Sequence, residues 1–195
     1  AGNRCYENIP EELNRRIVDN ISYRNLCYTT NSKNNLLEEG YKNSSIYIVG
    51  NPIKEILFEG YNEDFQIEEK QILVTLHRSE NLEELNLRKI VQFFTHLFMQ
   101  GFVLRVSLHP RLEDCLKKYN LLKTFNRVSI PFKPVNHKEF IEMINISELV
   151  ITDSGTVPEE CYYLNKPCIV LRNSFERKEL IESGDCKLLS LNNSI

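Results

Sequence analysis

Apolar and polar positions along this chain change period again and again. Residues 71–77 (QILVTLH) make a short β-rich run, and Leu85, Val91, Phe94, Leu97 and Phe98 then recur at helical spacing across residues 82–100. The exchange continues with strand 102–108, helix 112–119, strand 127–132, helix 137–146, strand 148–152, helix 158–164, strand 167–171, helix 176–183 and strand 187–191. Residues 1–49 alternate in the same way, with helix 11–21, strand 25–30, helix 32–40 and strand 45–49. Strands alternating with helices imply βαβ units, a mostly parallel sheet and helices on both faces, which is a Rossmann-like α/β architecture. Gly50-Asn51-Pro52 is the sharpest turn cluster near the junction, so a boundary is expected there. On that division residues 1–49 share the later sheet or end a preceding one, and residues 50–195 form a domain of their own. No internal repeat, low-complexity segment or Gly/Ser linker interrupts the pattern.

Composition narrows the function classes. With 195 residues the chain is long enough to bury a real core, and its formal charge of −3 lacks the basic excess of a nucleic-acid binder. No apolar run approaches the roughly 18 residues that would span a bilayer, and no charged-then-apolar leader opens the chain, so a cytoplasmic protein is expected. The cysteines Cys5, Cys27, Cys115, Cys161, Cys168 and Cys186 form no C-x-x-C and match no zinc spacing. Ordinary reduced thiols are their plain reading, with a functional thiol as the alternative.

In open parallel sheets ligands sit beyond the carboxyl ends of the strands, and four such ends carry chemistry here. The segment 152–160 (TDSGTVPEE) offers a Ser-Gly turn, then a helix start with Pro158 in its first turn and Thr156 and Glu159 at capping-box spacing. Such a turn suits a phosphate, with Ser154 as donor and Gly155 allowing close approach, while Glu160 suits a ribose diol; a merely well-capped helix is the competing reading. His77-Arg78 after strand 71–77 places a proton-transfer group beside a cation, unless the histidine only ties down a strand end. His109 and Arg111 repeat that arrangement after strand 102–108. Arg172 and Arg177 follow strand 167–171 and either neutralise phosphate or hold their loop by pairing with Glu176. His96, inside a Phe-rich helix, reads as structural. The dinucleotide fingerprint, the P-loop and the G-x-S-x-G elbow are all absent from the sequence.

Taken together, AGNR at residues 1–4, PEELNR at 10–15, HRSEN at 77–81, HPR at 109–111, TDSGTVPEE at 152–160 and RNSFERKELIESG at 172–184 resemble the UDP-N-acetylglucosamine 2-epimerase family, in order and spacing over nearly the whole chain. The resemblance implies the C-terminal half of a two-domain GT-B-type fold. Residues 1–49 would be the end of a truncated N-terminal Rossmann-like domain, and residues 50–195 the C-terminal UDP-binding domain. It implies an isomerase that inverts C2 of the sugar by eliminating UDP and adding it back, without metal or nicotinamide, as a homodimer when whole. His77 matches the family's active-site histidine. Ser154, Gly155 and Glu160 match positions that hold diphosphate and ribose, with Arg78, His109, Arg172 and Arg177 around them, and Pro131, Phe132 and Phe140 fall where the uracil lies. The family's acid/base carboxylates are expected before residue 1, one of them in a His-x-Glu-Ala-Gly segment whose Ala-Gly opens this chain. A piece that binds UDP weakly and lacks activity alone is therefore expected. Ser-Gly-Thr in place of Ser-Gly-Gly resembles the branch acting on UDP-6-deoxy-N-acetylhexosamines, and Pro158 replaces a common Gln. A hydrolysing epimerase, a GT-B glycosyltransferase and a non-catalytic UDP-sugar-binding remnant are the competing readings.

Overall fold

The computed structural model describes residues 1–4, 10–58 and 66–191; of the residues discussed above, Cys5 lies outside them. Residues before Gly50 form α1 (Pro10–Ile21), β1 (Asn25–Cys27), α2 (Thr30–Glu38) and β2 (Ile46–Ile48), with β1 and β2 paired in parallel. Those after it form α3 (Ile53–Phe58), β3 (Gln71–Thr75), α4 (Glu84–Met99), β4 (Val103–Ser107), α5 (Pro110–Lys118), α6 (Leu122–Val128) and β5 (Ile130–Phe132). The series closes with α7 (His137–Ile146), β6 (Leu149–Thr152), α8 (Val157–Tyr163), β7 (Cys168–Leu171), α9 (Lys178–Glu182) and β8 (Cys186–Leu189).

The second group builds a six-stranded sheet in the order β5-β4-β3-β6-β7-β8, with every pairing parallel. Its central strand β3 is a near-continuous apolar run because both faces are covered. Alternate residues feed two cores. Ile72, Val74 and Ile151 join Leu87, Ile90 and Phe94 of α4, Leu112 and Leu116 of α5 and Phe125 of α6 on one face. Leu73, Val150 and Val170 join Leu57 of α3, Ile141 and Ile144 of α7 and Cys161 of α8 on the other. The strand order reverses between β3 and β6, the switch point where ligands lie in doubly wound sheets.

Two local expectations need correction, and one helix shows a face that the sequence left open. Residues 122–128 are helical and the strand begins only at Ile130, because Leu121, Phe125 and Val128 recur at helical spacing and pack on the core. The capping box at Thr156 does not form: Thr156 is itself in helical conformation without a side-chain cap, and the Glu159 carboxylate accepts from Arg177 Nε at 2.6 Å. Helix α1 is inverted relative to an ordinary surface helix. It buries Glu12 and Asp19 against the buried Arg4, whose guanidinium also pairs with Glu39, and it exposes Leu13, Ile17 and Ile21, one apolar stripe at i, i+4 and i+8.

Gly2 is fixed by the same corner. Its φ is +74°, its N–H donates to Asp19 Oδ2 at 3.0 Å, and a Cβ there would fall 2.0 Å from the Ser32 carbonyl oxygen. Only glycine fits, which accounts for this part of the opening motif by packing alone.

Candidate functional site

Sheet register sets the geometry. Thr75 of β3 pairs with Ser107 of β4 and Thr152 of β6, and Thr152 pairs with Val170 of β7. Two residues beyond that line stand His77, His109, Ser154 and Arg172, the four strand-end positions singled out in the sequence. Parallel pairing therefore brings them to one edge, with His77 and Ser154 flanking the switch point.

At the centre is a residue that the sequence reading quoted without a role. The Asp153 carboxylate is fully buried and accepts from the His77 N–H at 3.1 Å, the Arg78 N–H at 2.9 Å and Asn81 Nδ2 at 3.0 Å. His77 Nδ1 lies 2.9 Å from its Oδ1, and Arg78 Nε donates to the Asp153 carbonyl at 2.9 Å. Burial acts to raise this carboxyl, but the hydrogen bonds from His77, the Arg78 backbone and Asn81 outweigh it and hold it below the usual aspartate range. Asn81 Nδ2 also donates to the Leu171 carbonyl at 2.9 Å, so one amide ties together the ends of β3, β6 and β7. The sequence signal for both residues is a polar side chain set directly against an apolar strand end, where only a satisfied group can be buried.

Asp153 fixes the half-exposed His77 ring through Nδ1, the arrangement that orients an imidazole for proton transfer at its other nitrogen. Beyond it the chain turns outward. Ser154 and Gly155 are partly exposed and Thr156 fully so, while Val157 to Cys161 are buried again. The Thr156 N–H donates to Ser154 Oγ at 3.3 Å. Gly155 faces Glu176: a Cβ at that position would stand 3.0 Å from Glu176 Oε1.

The arginines after β7 are engaged. Arg172, itself buried, donates to Glu176 Oε2 at 2.8 Å and lies over the Phe175 ring, and Arg177 is committed to Glu159. Burial acts upward on the Glu176 carboxyl, and Arg172, with Arg15 and Arg177, holds it below the ordinary range. Arg172 thus makes the loop-holding pair with Glu176, whereas Arg177 pairs with Glu159 instead. Arg78 keeps only a 3.6 Å ion pair to Glu80 beside its bond to the Asp153 carbonyl. His109 is exposed and caps α5, its Nδ1 accepting from the Arg111 N–H at 3.3 Å. Pro131 and Phe132 lie on the edge strand β5, and Phe132 and Phe140 pack half-buried against the core shared with α7 and α8.

Glu160 closes the far side. It is buried, its Oε1 lies 3.0 Å from His137 Nε2, and its Oε2 has no partner among the described residues. Burial pushes this carboxyl above the usual range, and His137 only partly offsets that. On the near side, a cavity of about 450 Å³ lies between α1 and residues 1–3, lined by Glu11, Asn14, Arg15 and Val18 among others. Arg15 NH2 reaches Glu176 Oε1 at 3.5 Å, so this cavity adjoins the Gly155 turn. Glu11 is an exposed carboxylate there that the sequence reading passed over. Among the described residues no group of three or more His, Cys, Asp or Glu side chains is placed to hold a metal, and no helix is long and apolar enough to cross a membrane.

A parallel six-stranded sheet of this order, with an oriented histidine and a Ser-Gly turn at its switch point, defines a Rossmann-like α/β protein, and its structural neighbours make it the C-terminal half of a GT-B-type fold. The family model for UDP-N-acetylglucosamine 2-epimerase matches residues 1–194, and the chain belongs to that family. It is 37% identical to the UDP-N-acetylglucosamine 2-epimerase of Methanocaldococcus jannaschii over 94% of this chain and 55% of that protein. With the Bacillus subtilis enzyme of the same name it shares 35% identity over 96% of this chain and 51% of that one. The M. jannaschii crystal structure in complex with UDP-GlcNAc and UDP superposes with a TM-score of 0.86 at 35% identity, covering 97% of this chain and 57% of that one. The chain thus spans about half the length of the relatives it matches.

Proposed function

We propose that this chain is the UDP-binding half of a UDP-N-acetylhexosamine 2-epimerase, with residues 1–49 closing an N-terminal domain and residues 50–195 forming the nucleotide domain. The observation that carries the reading is the partnerless buried oxygen of Glu160 at the same sheet edge as the Ser154–Gly155 turn and the Asp153-oriented His77. A buried carboxylate oxygen without a donor is costly, and a hydroxyl-bearing ligand such as a ribose diol supplies donors. The M. jannaschii relative, solved with UDP-GlcNAc and UDP, supports the same ligand class.

In this reading Ser154, the Gly155 backbone and Arg78 hold the diphosphate, with His109 at the same edge. Arg172 and Arg177 act through the loop that they fix. Phe132 and Phe140, with Pro131, border the uracil. His77 exchanges a proton with the diphosphate as UDP leaves C1, while a carboxylate takes the C2 proton, and as UDP adds back to C1 with the proton returned to the other face of C2. Glu11, facing the adjoining cavity, is the carboxylate this chain offers for proton transfer at the sugar. The exposed α1 stripe of Leu13, Ile17 and Ile21 is covered in the whole enzyme by the part of the fold that the longer relatives possess. The whole enzyme works as a cytoplasmic homodimer, and its hexosamine belongs to the 6-deoxy branch.

Calorimetric titration of the chain with UDP tests the grip. Ser154→Ala or Glu160→Ala is expected to weaken binding strongly, and undiminished affinity in both variants refutes the placement. In the whole enzyme, His77→Asn and Glu11→Gln are expected to lower turnover more than binding. A C2 epimer with UDP attached is the expected product; free sugar plus UDP would sink the epimerase reading.

A further inference from the structure

We infer that His137 is a positioning residue for nucleoside binding: it holds Glu160 by Oε1, so that the second carboxylate oxygen is the one left for the ribose hydroxyls. The inference rests on the UDP-grip reading and adds to it a residue that no motif pointed to. His137 is the first residue of α7, which follows the loop leaving β5, and Glu160 sits in α8 beyond the switch point. Their contact at 3.0 Å therefore joins the two sides of the nucleotide crevice.

Three observations single this pair out. Glu160 is more than nine-tenths buried, whereas the His137 side chain is half-exposed, so the histidine covers the carboxylate from the solvent side. The neighbouring acid Glu159 is taken up by Arg177 and gives Glu160 no donor. Finally, Asn136 caps α7, its side chain accepting from the Glu139 N–H at 3.0 Å, which fixes the backbone from which His137 projects. Without His137 both oxygens of a buried carboxylate would lack a donor among the described residues. The group would then favour its neutral form or another rotamer, and either change weakens it as an acceptor for a diol.

The test is a calorimetric comparison of UDP, 2′,3′-dideoxy-UDP and inorganic pyrophosphate on the 195-residue chain carrying His137→Phe or His137→Gln. His137→Phe is expected to weaken UDP binding about fivefold to tenfold, the size of one ordinary hydrogen bond, since the carboxylate is weakened as an acceptor and not removed. Binding of the dideoxy nucleotide and of pyrophosphate should change less than about twofold, since neither presents the diol. His137→Gln retains an N–H donor and should recover most of the UDP affinity, which a bulk packing role would not predict. Equal losses on UDP and its dideoxy analogue, an unaltered UDP affinity in His137→Phe, or a glutamine variant as weak as the phenylalanine one would each overturn the role of His137. The underlying reading fails separately: if wild type binds UDP and the dideoxy analogue equally, Glu160 does not hold the ribose, whatever His137 does.

Discussion

Asp153→Asn is the most informative single substitution in this chain. It preserves shape and replaces one carboxylate oxygen by an NH2 group. If the amide turns its NH2 toward the Oδ2 position, it meets three donors, the His77 N–H, the Arg78 N–H and Asn81 Nδ2; in the other orientation it meets the His77 N–H and faces Nδ1. Either way at least two bonds to a buried charged acceptor are lost. Hydrogen bonds to charged groups are worth about 1.5–3 kcal/mol each, so after relaxation the expected loss is about 3–5 kcal/mol. For a chain of this size that is a fall in Tm of roughly 10 °C. The pH dependence has a definite sign. The folded-state carboxyl lies below its unfolded value, so its contribution is complete above the ordinary aspartate pKa of about 3.9 and is lost as pH falls through the folded value. Thermal and urea melts followed by circular dichroism should therefore show a constant gap between wild type and variant from about pH 8 to about pH 5, narrowing below about pH 4. A variant as stable as wild type at neutral pH would refute the account, as would a gap that persists unchanged into strong acid.

Further outcomes follow from the same structure. Gly2→Ala meets both a positive φ and a backbone oxygen 2.0 Å from the new Cβ, so a loss on the order of 3 kcal/mol in urea melts is expected; an unchanged midpoint would contradict the packing of that corner. Glu160 titrates above its unfolded value because burial penalises its charge, so wild-type stability declines as pH rises through that folded value. Glu160→Gln should then melt higher than wild type near pH 8, by on the order of 1 kcal/mol, and lose the advantage near pH 4. A variant less stable at both pH values would overturn this. Cys168 is pushed up first by its hydrogen bond with Cys161, partly offset by Cys186, and Cys186 first by its bond with Cys168, and burial raises both further. They should resist a thiol-specific disulfide reagent until the protein unfolds, and rapid labelling of either in the native state would count against that core.

Much of the architecture was legible because burial on both faces leaves a plain mark. The run Ile72-Leu73-Val74 has no polar interruption, and its residues divide between the two cores. The strand ends were legible too, and parallel register converts separate motifs into one edge without any long-range information. Helix α6 was not, because Phe125 and Val128 merge by eye with the following Ile130 and Phe132 into a single apolar run. Nor was the inverted α1, since the periodicity of Leu13, Ile17 and Ile21 announces a helix but not which face meets the rest of the chain. The capping box failed for a tertiary reason: a local hydrogen bond at Thr156 competes with Arg177, the largely covered residue just before α9, for Glu159, and the charged pair wins.

The family motifs mix two kinds of residue that sequence cannot separate but hydrogen-bond accounting can. Asp153, Asn81, Gly2, the Arg172–Glu176 pair and the Glu159–Arg177 pair have their contacts answered within the protein. They build the edge. Ser154 and Gly155 are instead partly exposed on a turn between buried segments, His77 is held through one ring nitrogen with its ring half-exposed, and Glu160 keeps an oxygen that nothing among the described residues answers. A buried acceptor without a donor costs more than a weak hydrogen bond returns, and of the described residues with such an unanswered atom, Asn25, Tyr41, Gln71 and Glu160, it is Glu160 that stands at the carboxyl edge of the six-stranded sheet. On the proposed reading, that asymmetry puts the nucleotide on the Glu160 side of the switch point. The Ser154–Gly155 turn accommodates Thr156 and Pro158 because the helix behind it is secured by Arg177 and by core packing and does not depend on its own cap.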